Sequence, residues 1–417
     1  MLNKTHIGEM MKPFVIRMNR RCRFLAFSLF LMSVPLALSG CGGGISSGPT
    51  LGPSVATYVA GTNCFGNAID SAGNIWVANA GNGTPGTSAG NSNIMKLSPS
   101  GAVLGTYVAG TFPIGIAIDK SGNVWVENYG TGTAGTGPGD SNVTELSPSG
   151  ALIGTYVAGS YPAGGIAVDT SGNVWVTNWG AASGTPGVPG SAVGDANVTE
   201  LSPSGTVVGT YVAGSSPGGI AIDSAGNIWV ANKGNGTAGL GQLNSNVTKL
   251  SPSGVTIGTY VAGSYPEGIA IDPTGNVWVV NKGNGVSGTV AGDSNVTKLN
   301  SAGVTMGTYA VGSYPEIVAV DSAGNIWVTN GYGRGSISQA DSSVSELSPS
   351  GAVIQTLVTG YQPYSIAIDL SGNVWVTNFG NGIAGTGSAN SNVQEYIGAA
   401  KGPQYFPYSG PQWPGAE

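Results

Sequence analysis

Residues 70–101 read DSAGNIWVANAGNGTPGTSAGNSNIMKLSPSG, and close variants of this stretch begin again at Asp119, Asp169, Asp223, Asp272, Asp321 and Asp369. Successive Asp residues in this series are separated by 49, 50, 54, 49, 49 and 48 positions. That period suits a four-stranded unit, is too long for a leucine-rich coil, and comes without the leucine ladder of such a coil. Each unit holds four short apolar runs, seen around Ile220 to Asp223, Asn227 to Asn232, Asn246 to Pro252 and Gly258 to Gly263. Alternating and β-branched residues at this length predict strands. Between the first and second runs lies D-x-x-G-N, whose Asp caps the turn through its carboxylate while Gly supplies a positive φ. Between the third and fourth lies SPSG, another tight reversal. Runs joined by such links pair antiparallel, so one unit is a four-stranded meander.

A lone meander cannot cover both of its faces, but seven of them stacked around an axis cover one another. The expected fold is therefore all-β, a seven-bladed β-propeller over residues 56–397, and the period replaces the two or three domains that 417 residues would otherwise suggest. The ends agree with a ring. The chain enters the repeats with ATYVAG, a fourth-type run, and leaves them with NVQEYIG, a third-type run with no fourth after it. A strand from the front of the chain is expected to complete the last blade, which removes an exposed sheet edge. Trp76, Trp125, Trp175, Trp229, Trp278, Trp327 and Trp375 hold one position in every second run. Each indole buries roughly 150 to 250 Å², worth on the order of 4 to 6 kcal/mol before conformational entropy is charged. Seven identical copies read as core, and the seven turn Asp residues as scaffold.

Residues 1–40 read as an export signal. Lys4, Lys12, Arg17, Arg20, Arg21 and Arg23 precede an apolar run from Phe24 to Leu38, which is shorter than the roughly 20 residues that span a bilayer. Leu38, Ser39, Gly40 and Cys41 resemble the bacterial lipobox, in which the signal is cut before the cysteine and the thiol takes a lipid. That resemblance implies a membrane-anchored lipoprotein, and Gly42 in place of Asp implies the outer membrane of a Gram-negative host, facing the periplasm or the surface. Residues 41–55 lack apolar periodicity and read as a flexible tether. Cys22 lies in the signal and Cys64 has no partner thiol, so no disulfide is expected; Cys64 reads as a harmless loop thiol. After Cys41, eight Lys or Arg face nineteen Asp or Glu, a formal charge of −11. Phosphate binding needs clustered cations, so nucleic acid is excluded as a partner. The tail, 398–417, is rich in Pro and aromatics, lies outside the ring, and either folds over a rim or stays free of it.

Phrases such as GIAIDSAGNIWVAN resemble NHL-repeat propellers and, among them, the virginiamycin B lyase-like branch, over about 340 residues. The resemblance implies the propeller fold. In the lyase branch it also implies a histidine acting with acidic residues and a divalent metal, but the single histidine of this chain, His6, lies in the signal. No catalytic residue carries over. Propellers resembling gluconolactonase hold a metal at the channel mouth through Glu, Asp and Asn; Glu127 and Asn128 match these types without completing the set. Nothing in the chain resembles a serine or cysteine triad, a phosphate loop or a zinc site.

Consecutive antiparallel strands place D-x-x-G-N and SPSG on one rim, short and nearly invariant. The second-to-third and fourth-to-first connections share the other rim and vary among repeats, which is where a repeated scaffold carries its binding residues. There the slot after the recurrent Asn holds Tyr129, Trp179, Lys233, Lys282 and Phe379, and the slot before Pro holds Phe112, Tyr161, Tyr265 and Tyr314. Flat aromatics beside Asn, Ser and backbone amides suit a protein or glycan ligand. Glu127, Glu267 and Glu316 depart from the repeat. As solvated surface acids they need no role, but Glu267 and Glu316 share one slot in neighbouring blades, a pair that could hold Ca²⁺ with loop carbonyls. Asp140, Asp195, Asp293 and Asp341 in the Gly-rich loops raise the same calcium reading without a ligand pattern. Two functions follow: a lipid-anchored binding or scaffolding module at the cell envelope, or a metal-dependent hydrolase or lyase at the channel mouth.

Overall fold

The computed structural model describes residues 53–81, 92–130, 141–180, 196–234, 245–283, 294–331, 342–380 and 391–404. These form 28 strands in seven four-stranded antiparallel sheets, with no helix among the described residues. Blade 1 runs outward from β2 (Cys64–Ile69) through β3 (Ile75–Asn79) and β4 (Asn93–Leu97) to β5 (Val103–Tyr107). The plan repeats in blades 2 to 6, at 113–156, 162–211, 217–260, 266–310 and 315–358. Blade 7 takes β26 (Pro363–Ile368), β27 (Val374–Asn378) and β28 (Asn392–Tyr396) from one end of the repeats and β1 (Val55–Tyr58) from the other. Val55 pairs with Tyr396 and Tyr58 with Val393, and the Ile397 amide donates to the Ser54 carbonyl at 2.9 Å. The expected closure of the ring is therefore observed.

The repeated phrase builds turn and core together. Asp70 Oδ1 accepts the amides of Ala72 (3.0 Å) and Asn74 (2.9 Å), and Gly73 reverses the chain at φ 78°. The other oxygen, Oδ2, accepts the Trp76 indole N–H at 3.0 Å. The same Asp-to-Trp bond recurs in every blade at 3.0 to 3.3 Å. All seven indoles are 0% exposed. Trp76 packs with Ile118, Val124 and Val126 of blade 2, so the core consists of layers between blades, not a single centre. In every blade but the sixth an outer-strand Tyr lies over its blade's indole, as Tyr107 does over Trp76 with ring centroids 5.5 Å apart.

Two irregularities of the innermost strands aim side chains at the rim. The residue before the Pro slot, which Cys64 fills in blade 1, is left-handed in all seven blades, from Asn63 at φ 53° to Gln362 at φ 51°. Its carbonyl accepts the amide of the residue after the recurrent Asn, as in Tyr129 to Phe112 at 3.0 Å. Immediately after the Pro slot the pairing register slips, so that in blade 5 residues 267 and 268 face only Val280. Such a bulge turns a side chain out of the sheet and toward the axis.

The inner strands surround a channel of about 260 Å³, with Tyr364 near the variable rim and Gln404 at the opposite end. The chain after β28 crosses the D-x-x-G-N turns of blades 7 and 6. Ala400 donates to Gly372, Lys401 to Asp321 Oδ2, and Gln404 Oε1 accepts the Ile368 amide at 2.9 Å. The first part of the tail thus folds over the invariant rim; residues 405–417 lie outside the described residues.

Candidate functional site

Three slots converge where the variable rim meets the channel: before Pro, after Pro, and after the recurrent Asn. Around one side they form a continuous aromatic arc. Phe379 meets Phe65 (5.0 Å between centroids), Phe65 meets Phe112 (5.7 Å), Phe112 meets Tyr129 (6.1 Å), and Tyr129 meets both Tyr161 (5.4 Å) and Trp179 (6.2 Å). Phe65 also meets Tyr364 edge-on at 4.8 Å. Most of these rings are half-buried; Tyr161 is buried. Phe112, Tyr161, Tyr265 and Tyr314 hold their aromatic rings on left-handed backbone, at φ 57°, 53°, 55° and 53°. For bulky residues that conformation costs about 1 to 3 kcal/mol each.

The rest of the mouth is charged. Lys233 Nζ lies 2.6 Å from Glu267 Oε1; Lys282 Nζ lies 3.2 Å from Glu267 Oε2 and 2.6 Å from Glu316 Oε2. Glu267 is 4% and Glu316 8% exposed, so these are buried and not the solvated surface acids expected from the sequence. Gly218 makes the chain possible, since Lys233 Cε passes 2.9 Å from where a side chain would begin there. Lys233 Nζ also lies 4.2 Å from the centre of the Trp179 ring, and Lys282 Nζ 5.2 Å from that of Tyr314. Burial pulls the Lys233 ammonium below its usual pKa, whereas Lys282 rises well above it because Glu267 and Glu316 together overcome the burial. Burial would lift both acids; Lys233 and Lys282 nevertheless bring Glu267 below the ordinary range, while Glu316, with Lys282 alone in contact, stays raised. Burial and Glu267 push Tyr265 up to about 12.

The nine aromatic and lysine candidates named from the sequence therefore fall into two adjoining arcs, with Glu267 and Glu316 in the second. Phe65 and Tyr364 were missed. Both occupy the slot after Pro, the slot already marked by Glu267 and Glu316, so a comparison of that slot across blades would have found them.

The calcium reading of Glu267 and Glu316 does not fit this geometry. Ammonium groups already stand against both carboxylates, where a cation would have to be. Glu127 is fully buried in the second strand of blade 2, opposite Gly115, and its charge, like those of Glu267 and Glu316, bears on the Tyr364 phenol. Asn128 is scaffold: its amide donates to the Ala109 carbonyl (2.8 Å) and to Asn142 Oδ1 (2.8 Å), and its counterparts are equally buried in every blade. Among the described residues no group of three or more His, Cys, Asp and Glu could hold a metal ion. The residues at this mouth therefore do not fit the divalent metal implied by the lyase resemblance. Asp140, Asp195, Asp293, Asp341 and Cys41 lie outside the described residues. Cys64 is not a loop thiol: it begins β2, is fully buried, and burial pushes its thiol up to about 12, which leaves it inert.

Two polar atoms stand out at the boundary of blades 3 and 4. The indole N–H of Trp179 and the hydroxyl of Ser216, a residue 3% exposed, are buried without a hydrogen-bond partner among the described residues. Leaving such a group unpaired costs about 1 to 3 kcal/mol.

No protein-family model matches the chain, and no curated protein matches it by sequence. Solved structures do match by shape. A streptogramin B lyase structure aligns with TM-score 0.57 at 15% identity, over 82% of this chain and 97% of the other. A catalytically inactive virginiamycin B lyase from Staphylococcus aureus, solved with quinupristin, aligns with TM-score 0.57 at 13% identity, over 82% and 99%. A chain of a mitotic checkpoint complex aligns with TM-score 0.57 at 12% identity, over 89% and 99%. A lyase and a checkpoint protein superpose equally well, so the likeness is one of fold: this chain is a β-propeller whose chemistry has to be read from its own rim.

Proposed function

We propose that this protein is an exported, lipid-anchored propeller whose variable rim binds a protein or glycan ligand at the cell envelope. The observation that carries the reading is the set of four aromatic residues on left-handed backbone. The same slot in other blades is filled by Asn63, Ser216 and Gln362, so the backbone does not call for an aromatic. Bulky rings kept in a strained conformation, beside half-buried Tyr129, Trp179 and Phe379, are a cost to stability that a binding face accounts for. The lysine-neutralised acids favour this reading over a metal-dependent hydrolase or lyase, because a metal would have to displace two buried ammonium groups.

A glycan and peptide array screen followed by titration tests it. Trp179→Ala and Phe379→Ala are expected to weaken the captured ligand by about tenfold or more, with unchanged thermal unfolding and no effect of a chelator. Full binding by both variants, or binding abolished by the chelator, would overturn the reading. The anchor is tested separately: Cys41→Ser should release the protein from the membrane fraction, and mass spectrometry of the native form should find acyl chains on Cys41.

A further inference from the structure

The tail and the variable rim match each other chemically, and the fold sets them on opposite faces of the ring. Residues 403–417 read PQYFPYSGPQWPGAE. Proline recurs at 403, 407, 411 and 414, the last two in P-x-x-P spacing, with Tyr405, Phe406, Tyr408 and Trp413 between them. Segments of this composition take up the polyproline conformation at little entropic cost and dock on grooves lined by aromatic rings. The arc running from Phe379 through Phe65, Phe112 and Tyr129 to Trp179 is such a surface. Its neighbouring ring centroids lie 5.0 to 6.2 Å apart, and all five rings are partly exposed. Charge favours the same match. After Gln404 the only charged side chain is that of Glu417, so the segment does not bring the acidity of the chain to the mouth. The lysines and acids beside the aromatic arc pair with one another and add no net pull on a charged ligand.

The chain cannot lay this segment on its own arc. Gln404 is held at the invariant rim, where its Oε1 accepts the Ile368 amide at 2.9 Å and the Ser322 amide donates to the Pro403 carbonyl at 2.7 Å. The arc is at the other end of the channel. The channel itself, about 260 Å³, is smaller than the space a drug-sized ligand needs and does not pass a run of Tyr, Phe and Trp side chains. Around the outside, the path crosses a four-stranded blade twice, about 15 Å each way, and climbs an inner strand of six residues, about 20 Å, or about 50 Å altogether. Residues 405–417 span at most about 45 Å when drawn out fully, and several of them must lie in the arc. A second copy removes the difficulty. The segment leaves one face beside the channel and the arc flanks the channel on the other, so two rings meet face to face along one axis. Such a contact joins unlike surfaces and does not close on itself, which leaves each pair free to add a third copy.

We propose that residues 405–417 of one copy dock on the aromatic arc of a second copy, and that the protein assembles head to tail through its two rims. This deepens the rim-binding reading, with a second copy as the protein ligand, and rests on it.

Sedimentation velocity of the full chain tests it, with Cys41→Ser throughout so that no acyl chain drives association. The mean mass is expected to rise with concentration beyond that of a dimer, and an excess of the synthetic peptide PQYFPYSGPQWPGAE should return it to monomer. Trp179→Ala and Phe379→Ala should each weaken association and peptide binding about tenfold or more, with unchanged thermal unfolding. Pro411→Ala with Pro414→Ala in the peptide should make it compete at least about fivefold more weakly. A full chain that stays monomeric, oligomers that the peptide leaves intact, or a peptide that binds the arc variants as tightly as the parent would overturn the assignment. Peptide competition uses the unaltered ring, so it decides the matter even where an arc variant folds poorly. The rim reading is judged by a separate result: it stands if an array ligand is lost in Phe379→Ala although the peptide fails to bind, and falls if array binding ignores the aromatic variants.

Discussion

At the scale of single residues, the charged arc shows how position overrides type. Glu267 and Glu316 share a slot, but Glu267 touches two lysines and Glu316 one. Removing Glu267 strands Lys233 in a buried site, so Glu267→Gln is expected to destabilise by about 3 to 5 kcal/mol. Glu316→Gln leaves Lys282 paired with Glu267 and should cost clearly less. Urea unfolding of both variants checks the order. The pH dependence has opposite signs for the two acids. Glu316 is raised above its ordinary 4.5 by burial, so its contribution is fully present below that value and is lost as pH rises through the folded pKa. Glu267 is lowered by its lysines against the pull of burial, so its contribution holds above 4.5 and is lost as pH falls through the folded pKa. The stability of wild type relative to Glu316→Gln should therefore decline as pH rises from about 4.5, whereas relative to Glu267→Gln it should decline on acidification. The left-handed slot gives a second prediction. Gln362 holds it without an aromatic ring, and Asn enters that conformation more easily, so Gln362→Asn should raise stability by about 0.5 to 1 kcal/mol. Thermal unfolding reads it. None of this pairing was legible in the sequence, because the repeat locates a slot while the reach of Lys233 across Gly218 into the next blade is a matter of side-chain direction.

At the scale of elements, the outer strands of blades 1 to 5 couple a glycine to a tyrosine. In blade 3 a side chain at Gly209 would run into the Tyr211 hydroxyl, which donates to Glu200 at 2.8 Å. Gly205, in the turn before that strand, is left-handed at φ 77° and lies against the ring of Tyr156 from the preceding blade. Blade 6 replaces both partners at once: Gln355 stands in the glycine slot, Leu357 in the tyrosine slot, and Gln355 Nε2 donates to Glu346 at 2.7 Å. Blade 7 has Ala56 beside Tyr58, so a methyl is accommodated and it is the longer side chain that is excluded. Gly209→Gln alone should destabilise by about 1 to 3 kcal/mol, and Gly209→Gln with Tyr211→Leu should recover most of that loss in a double-mutant cycle. The strands and both turns were readable because D-x-x-G-N and SPSG state their backbone geometry in residue types. The bulge after Pro was not, since it leaves no mark in composition; Phe65 and Tyr364 were missed for that reason.

At the scale of the whole molecule, the ring depends on four residues. Val55–Tyr58 supplies the outer strand of blade 7, and Tyr58 stacks on Trp375 with centroids 5.5 Å apart while its hydroxyl donates to Glu395 at 2.8 Å. Deleting residues 53–59 should expose the edge of β28 and one face of Trp375, lowering the unfolding temperature and promoting association. Calorimetry and light scattering measure both, and an unchanged melting curve would contradict the closure. That closure was legible because the run types at the two ends of the repeat are complementary. The first and last strands also finish side by side, with Ser54 and Ile397 joined by one hydrogen bond. The order in which the blades are written is thus incidental to the circle they form. A gene that fuses these two points and opens the chain in another inter-blade connection should yield the same propeller.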